Sequence, residues 1–214
     1  MQNRQIIEPK RSIDVIHETD VLGVGSGPGG LSAAIASARC GVKTTLLERF
    51  GCFGGNITVV GVEGFAWYRH EKTIEAGGIG REFEELAKEM GAAVPESQSL
   101  SYELDSEGFK LVADKLVMDS GIHPMLHRSF SMPIMEGNTV VGVIVESKAG
   151  REAILSKVVI DATGDADVAF RAGAQLNTMP VEELMATSVM FHLAGVDKKA
   201  FLSEIQNNPQ SYKD

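Results

Sequence analysis

The feature that most constrains this chain is the run Gly25-Ser26-Gly27-Pro28-Gly29-Gly30, which satisfies G-x-G-x-x-G. Its surroundings carry more weight than the match. Residues 19–24 (TDVLGV) read as a short buried strand ended by Gly25. Residues 29–40 read as a helix of small residues with Leu31, Ala34, Ile35 and Ala38 on one face, and Gly41 terminates it. Residues 43–48 (KTTLLE) are β-branched and apolar, a second strand. Strand, helix and strand at this spacing form a βαβ unit, whose handedness rule makes the two strands parallel. Glu48 ends the second strand 18 positions beyond Gly30, near the spacing of about 20 at which an acidic residue meets a ribose.

Each position has a physical task. Gly25 lets the strand turn tightly, and a side chain at Gly27 would block an approaching pyrophosphate. Gly30 lets helix and strand pack closely, while free N–H groups of the first helical turn face the anion. Glu48 can accept both hydroxyl protons of an adenosine ribose and repels a 2′-phosphate, which disfavours NADP. A second bare-backbone cluster, Gly51-Cys52-Phe53-Gly54-Gly55-Asn56-Ile57-Thr58, follows Arg49 directly. An NAD dehydrogenase would usually continue there into a crossover helix; a second glycine loop suggests a ligand that extends across it, as FAD does. Glycine supports this: 23 of 214 residues, about 11% against a usual ~7%, with 14 of the 23 before residue 81.

The rest of the chain reads more coarsely. Ile79, Phe83, Leu86 and Met90 recur at helical spacing before Gly91, residues 92–106 are polar and irregular, and 109–120 form a second amphipathic helix. Residues 122–128 read as a strand that Pro124 would place at a sheet edge. Segments 130–135, 139–146 and 153–156 make an antiparallel meander, and 158–162 (VVIDA) is a further buried strand running into Thr163-Gly164-Asp165. Residues 187–194 are strand-like and 198–205 helical.

DVLGVGSGPGGLSAAIASARCGVKTTLLER, FGGNIT and VVIDATGDADVAFRAGA, in that order, resemble the FAD-dependent oxidoreductases of the glutathione-reductase-like superfamily, related to the fumarate reductase and succinate dehydrogenase flavoproteins. The resemblance covers about residues 15–175. It implies an α/β fold: a Rossmann-like FAD-binding domain with a parallel sheet and a three-stranded antiparallel β-meander, then the start of an α+β substrate domain. The implied boundaries are 1–62 and 107–175 for the FAD-binding domain, 63–106 for an insertion or cap, and 176–214 for the incomplete substrate domain. Gly25, Gly27, Pro28, Gly29 and Gly30 would hold the pyrophosphate, with Glu48 on the ribose and Arg49 beside it. Gly54, Gly55, Asn56 and Thr58 would line the path to the flavin. Phe130 would meet the adenine edge through its backbone, and Thr163, Gly164 and Asp165 match the second flavin motif.

Departures from the pattern are informative. Nothing after residue 175 resembles the further ribityl-binding motif of these flavoproteins, and members of the group are much longer chains. A missing C-terminal half or a companion chain would complete the flavin site; a homo-oligomer is a further expectation. No second G-x-G-x-x-G exists and no cysteine pair flanks the expected flavin, so the pyridine-nucleotide disulfide reductase reading loses both its NADPH domain and its redox disulfide.

His70, in Trp67-Tyr68-Arg69-His70, and His192, in the SVMFHL stretch, are candidate catalytic proton carriers near the flavin. His123 and His127 read as structural, Cys52 as a small packing residue, and Asp167 with Arg171 as an i,i+4 ion pair. The function expected is transfer of a hydride between FAD and a small organic substrate. The alternatives are a flavin-dependent monooxygenase and a non-catalytic FAD-binding subunit that needs a partner chain. The formal charge of −9 argues against nucleic acid or an anionic membrane as partner. Cys40 and Cys52 alone make neither a disulfide framework nor a zinc site, so no metal is expected. A polar N-terminus and the lack of a long apolar run make a cytoplasmic protein the expectation.

Overall fold

In the computed structural model, residues 5–65, 77–96 and 101–211 are described, together with the backbone of 69–70 and 73–74. Strand β1 (Val15–Val24) ends in three buried residues, so its C-terminal half sits inside a sheet. Helix α1 (Pro28–Arg39) starts on a proline, whose missing N–H is no loss in a first turn, and buries Gly30, Leu31, Ala34 and Ile35. The chain returns through β2 (Thr44–Leu47), buried along its whole length. The short strands β3 (Gly64–Phe65), β4 (Arg69–His70) and β5 (Thr73–Ile74) precede helix α2 (Ile79–Glu89). Then come β6 (Ala93–Pro95), β7 (Tyr102–Leu104), helix α3 (Ser106–Asp119) and β8 (His123–Met125). The meander is β9 (Ser129–Glu136), β10 (Thr139–Ser147) and β11 (Gly150–Asp161), followed by the short helix α4 (Asp167–Arg171) and by α5 (Lys198–Asn207).

The main sheet has six strands in the order β8-β2-β1-β11-β10-β9. β8, β2, β1 and β11 run parallel, and β10 and β9 continue antiparallel. The α/β fold with a parallel sheet and an attached meander is therefore the observed architecture. Pro124 lies in β8, opposite Leu46 on the edge, as a residue without an N–H requires.

Three expectations are corrected. First, 153–156 and 158–162 are one strand, because β11 pairs with β10 on one side while its ladder with β1 runs unbroken from Thr19↔Ser156 to Val21↔Val158. Lys157, which reads as a break, points to solvent and pairs with Asp20 at 2.7 Å. Second, 92–106 is not irregular. β6 and β7 pair antiparallel and β3 joins them, so Ala93 faces Leu104 across the ladder. Three-residue strands are too short to show a period of two. Third, 187–194 forms no strand. The described residues of 184–211 contain α5, capped by Asp197 on the N–H groups of Lys199 and Ala200, and among them no sheet against which a strand could pair. By contacts the chain divides into units of residues 1–183 and 184–214.

One core joins α1, α2 and α3 with the small sheet. Phe109 is 2% exposed, with the Phe83 ring centroid at 5.7 Å and Phe65 edge-on at 5.9 Å. Residues from the 63–106 segment thus share an interior with residues of the flanking segments. A second cluster, with Leu22, Val143, Val145 and Ile154, lies where β1 and β11 meet the meander.

His17 and His123 stack at 4.5 Å, and Thr45 Oγ1 lies 2.9 Å from His17 Nε2. Burial, reinforced by His123 and Lys43, holds the His17 imidazole below its ordinary value of 6.5. The folded state thus binds this proton less readily than the unfolded chain. The stabilisation is present above pH 6.5 and is lost as pH falls through the depressed folded value. Thermal melts should therefore decline as pH drops below that point. His17→Gln should flatten the decline in that window; an unchanged profile would rule this group out as its source.

Candidate functional site

β1 is flanked by β2 on one side and β11 on the other, so the chain leaves its carboxyl end at a switch point of strand order. Open parallel sheets place ligand crevices there. A cleft of about 920 Å³ opens at this place, at the upper end of small-molecule sites.

The first wall is the glycine loop. Gly25 has φ +94°, its N–H donates to Leu47 O at 2.9 Å, and a Cβ there would stand 2.4 Å from Ala162 O. A Cβ on Gly30 would stand 1.9 Å from Gly25 O. Gly27 and Gly29 differ: a Cβ on either meets nothing within 4 Å, because both face the open cleft. No side chain caps the α1 N-terminus and its first turn holds no acidic residue. The end of the helix dipole is thus left open to an anion. Gly25, Gly27, Pro28, Gly29 and Gly30 all line the cleft.

The second wall is the 51–60 loop. Gly54 N–H donates to Ser26 O at 2.9 Å, and a Cβ on Gly55 would come within 2.7 Å of Gly27 Cα. The two glycine clusters are therefore packed on each other, not strung end to end. Residues 56–60 make a single π-turn, a local form frequent at functional sites. Gly55 and Asn56 line the cleft, as do Val59 and Val60, which sequence reading missed. Gly54 and Thr58 do not; Thr58 Oγ1 donates to Phe53 O at 2.7 Å and braces the loop. Cys52 is half-buried, 3.9 Å from Thr58 Oγ1, and not part of the lining.

Glu48 is 6% exposed at the base of the cleft. Its Oε2 accepts Ser26 N–H at 2.9 Å and Ser26 Oγ at 2.6 Å, and its Oε1 accepts Phe50 N–H at 2.9 Å. The carboxylate therefore fastens the glycine loop to the end of β2 and is not wholly given over to a ligand. Arg49 is beside it in the lining, with Cζ 4.6 Å from the Phe50 ring centroid.

The third wall is the turn after β11. Asp161 Oδ1 accepts the N–H and hydroxyl of Thr163 at 3.1 and 2.7 Å, and Oδ2 accepts Ala169 N–H at 2.9 Å. Thr163 Oγ1 in turn accepts Asp167 N–H at 2.8 Å. Thr163 and Gly164 line the cleft; Asp165 does not, and Asp161 carries the turn in its place. Asp161→Ala removes the acceptor of three donors at once. It should lower the melting temperature by the equivalent of about 1.5–3 kcal/mol and weaken dinucleotide binding in parallel, readable by thermal melts with and without ligand.

Phe130 lines the cleft with Arg128 and Arg171. The expected Asp167–Arg171 pair does not form: the Arg171 guanidinium donates to Ser131 O and lies 5.6 Å from the Phe130 ring centroid. His123 stacks on His17, and His127, at φ +55°, packs where Gly51 leaves room, as structural residues do. His192 is exposed in the 184–214 unit. For His70 only the backbone, in β4, is described, so its catalytic assignment lies outside the described residues. Among the described residues, no group of three or more His, Cys, Asp and Glu could hold a metal ion. No helix among them is long and apolar enough to cross a membrane.

Comparison with known proteins gives a consistent picture. The family model described as FAD dependent oxidoreductase matches residues 20–214. Thiamine thiazole synthase of Metallosphaera sedula is 34% identical over 160 residues, covering 70% of this chain and 55% of its own length. That of Saccharolobus solfataricus is 34% identical over 162 residues, covering 71% and 57%. The chain thus spans about half the length of these relatives. Among solved structures, THI4 of Thermovibrio ammonificans superposes with a TM-score of 0.53 at 22% identity, over 72% of this chain and 61% of that one. A geranylgeranyl bacteriochlorophyll reductase-like protein of Thermoplasma acidophilum gives 0.54 at 20% identity, over 74% and 43%. These two likenesses concern the fold.

Proposed function

The chain belongs to the FAD-dependent oxidoreductase family, and on that premise we propose that it binds FAD in the cleft and presents the flavin to a small organic substrate. The carrying observation is the open space over Gly27 and Gly29 at an uncapped helix N-terminus. A pyrophosphate would fit there and accept the N–H groups of Gly29 and Gly30. Glu48 would take a ribose hydroxyl, the rim of Phe130 and Arg171 would face the adenine, and Asn56, Thr163 and Gly164 would lie along the flavin half. When bound, FAD supplies the two-electron donor or acceptor, and the chain would orient it.

His192 and His70 remain the proposed proton carriers on the substrate side. Completion of that side by further protein, from a companion chain or a longer polypeptide, is part of the proposal. It is supported by Val189, Phe191 and Leu193, 73–81% exposed, since apolar side chains clustered in this way mark a surface that another element covers.

The 34% identity to proteins named thiamine thiazole synthase favours a second reading, in which the same dinucleotide cleft serves assembly of a thiazole ring. The flavin monooxygenase and the non-catalytic subunit stay as alternatives. Purification decides first: a colourless protein that takes up no added FAD overturns the enzyme readings. A flavin-loaded protein that supports growth of a strain lacking thiazole synthesis favours the second reading. NAD(P)H-dependent oxygen consumption stimulated by an aromatic substrate favours the monooxygenase.

A further inference from the structure

On the reading that the cleft holds FAD, we infer that the Ser26 hydroxyl determines how Glu48 recognises the adenosine ribose, leaving the carboxylate one acceptor position where the diol offers two protons. An ionised carboxylate has about four lone-pair positions. On Oε2 both are taken, by Ser26 N–H at 2.9 Å and Ser26 Oγ at 2.6 Å. On Oε1 one is taken, by Phe50 N–H at 2.9 Å. The fourth, on Oε1, is what a ligand can use.

The occupants are not easily displaced. Ser26 is 0% exposed and Glu48 6%, so a hydroxyl turned away from the carboxylate would lose a buried partner. The 2.6 Å O–H···O⁻ distance is that of a charge-assisted bond. The Ser26 backbone is itself held, because Ser26 O accepts Gly54 N–H at 2.9 Å. The two ribose hydroxyls therefore compete for one position, and recognition of the diol is one-sided. Ser26 is thus a positioning and specificity-determining residue. Its hydroxyl trades a second ribose bond for a fastened glycine loop.

The test measures binding of FAD and of its 2′-deoxy- and 3′-deoxyadenosine analogues to flavin-free protein, by quenching of flavin fluorescence. In the parent protein, removing one of the two hydroxyls should weaken binding about tenfold and removing the other by less than about twofold. In Ser26→Ala an acceptor on Oε2 is released, so both deletions should weaken binding, each by about tenfold. Equal losses in the parent protein, or an unchanged asymmetry in Ser26→Ala, would overturn the inference while leaving the cleft as the FAD site. Absence of FAD binding itself overturns the cleft reading and this inference with it. If Ser26→Ala does not fold, as a thermal melt would reveal, the parent series decides alone, because the asymmetry is predicted without any variant.

Discussion

Gly27→Val should yield a folded protein that has lost its flavin. Gly27 is the N-cap of α1 with φ −62° and ψ 178°, an extended conformation that valine adopts without strain. A Cβ there touches nothing within 4 Å, so the apoprotein should melt within a degree or two of the flavin-free parent. The open space is instead the ground on which a pyrophosphate would rest. A branched side chain would hold the anion away from the Gly29 and Gly30 amides, beyond hydrogen-bond reach. Bonds from backbone N–H to a charged group contribute about 1.5–3 kcal/mol each. Losing two corresponds to at least a hundredfold weaker binding, on the order of 3 kcal/mol or more. The check is flavin retained per protein after desalting, alongside melts of both apoproteins, since bound ligand itself raises the melting temperature. Flavin retained in full by a folded Gly27→Val would remove the pyrophosphate from this helix end.

What could be read from the sequence, and what could not, follows from the range of the interactions. The βαβ unit is legible because its signals are local: strand, tight turn, small-residue helix and acidic strand end all fall within residues 15–48. The role of Ser26 was not legible. Its bonds to Glu48 span 22 positions, and nothing about a serine between two glycines announces them. Asp161 is legible in the sequence, because a carboxylate two residues before Thr163 is an Asx-turn signal, whereas the flavin motif points to Asp165. The unity of β11 was hidden by Lys157, because exposure of one residue says nothing about a backbone ladder that runs past it. Residues 187–194 mislead in the opposite sense. Their alternation fits a strand, but alternation describes a face, and a strand also needs a neighbour to accept its hydrogen bonds.

Gly30→Ala should have the contrary effect to a change at Gly27, failing in the fold before it fails in the ligand. A Cβ on Gly30 would stand 1.9 Å from Gly25 O and 2.9 Å from Gly25 C, so the clash is with backbone and no rotamer change relieves it. Nor can Gly25 retreat: its N–H is bonded to Leu47 O at 2.9 Å, and it is already too close to Ala162 O for a side chain of its own. Relief requires α1 to lift from the sheet, which would expose Leu31, Ala34 and Ile35, now 0–1% accessible. Forced overpacking of a single methyl usually costs about 1–3 kcal/mol; with no yielding atom on either side, more than about 4 kcal/mol is expected. That is a large part of the ~5–15 kcal/mol that holds a typical domain folded. The melting temperature should fall by about 10 °C or more, or the variant should be recovered only as aggregate. Gly29→Ala is the control. It adds the same methyl one residue earlier, into open space, and should leave the apoprotein melt nearly unchanged. If Gly30→Ala melts like Gly29→Ala, the helix is not held against the strand end as tightly as the 1.9 Å approach requires. The anion site built on that contact would then have no fixed floor.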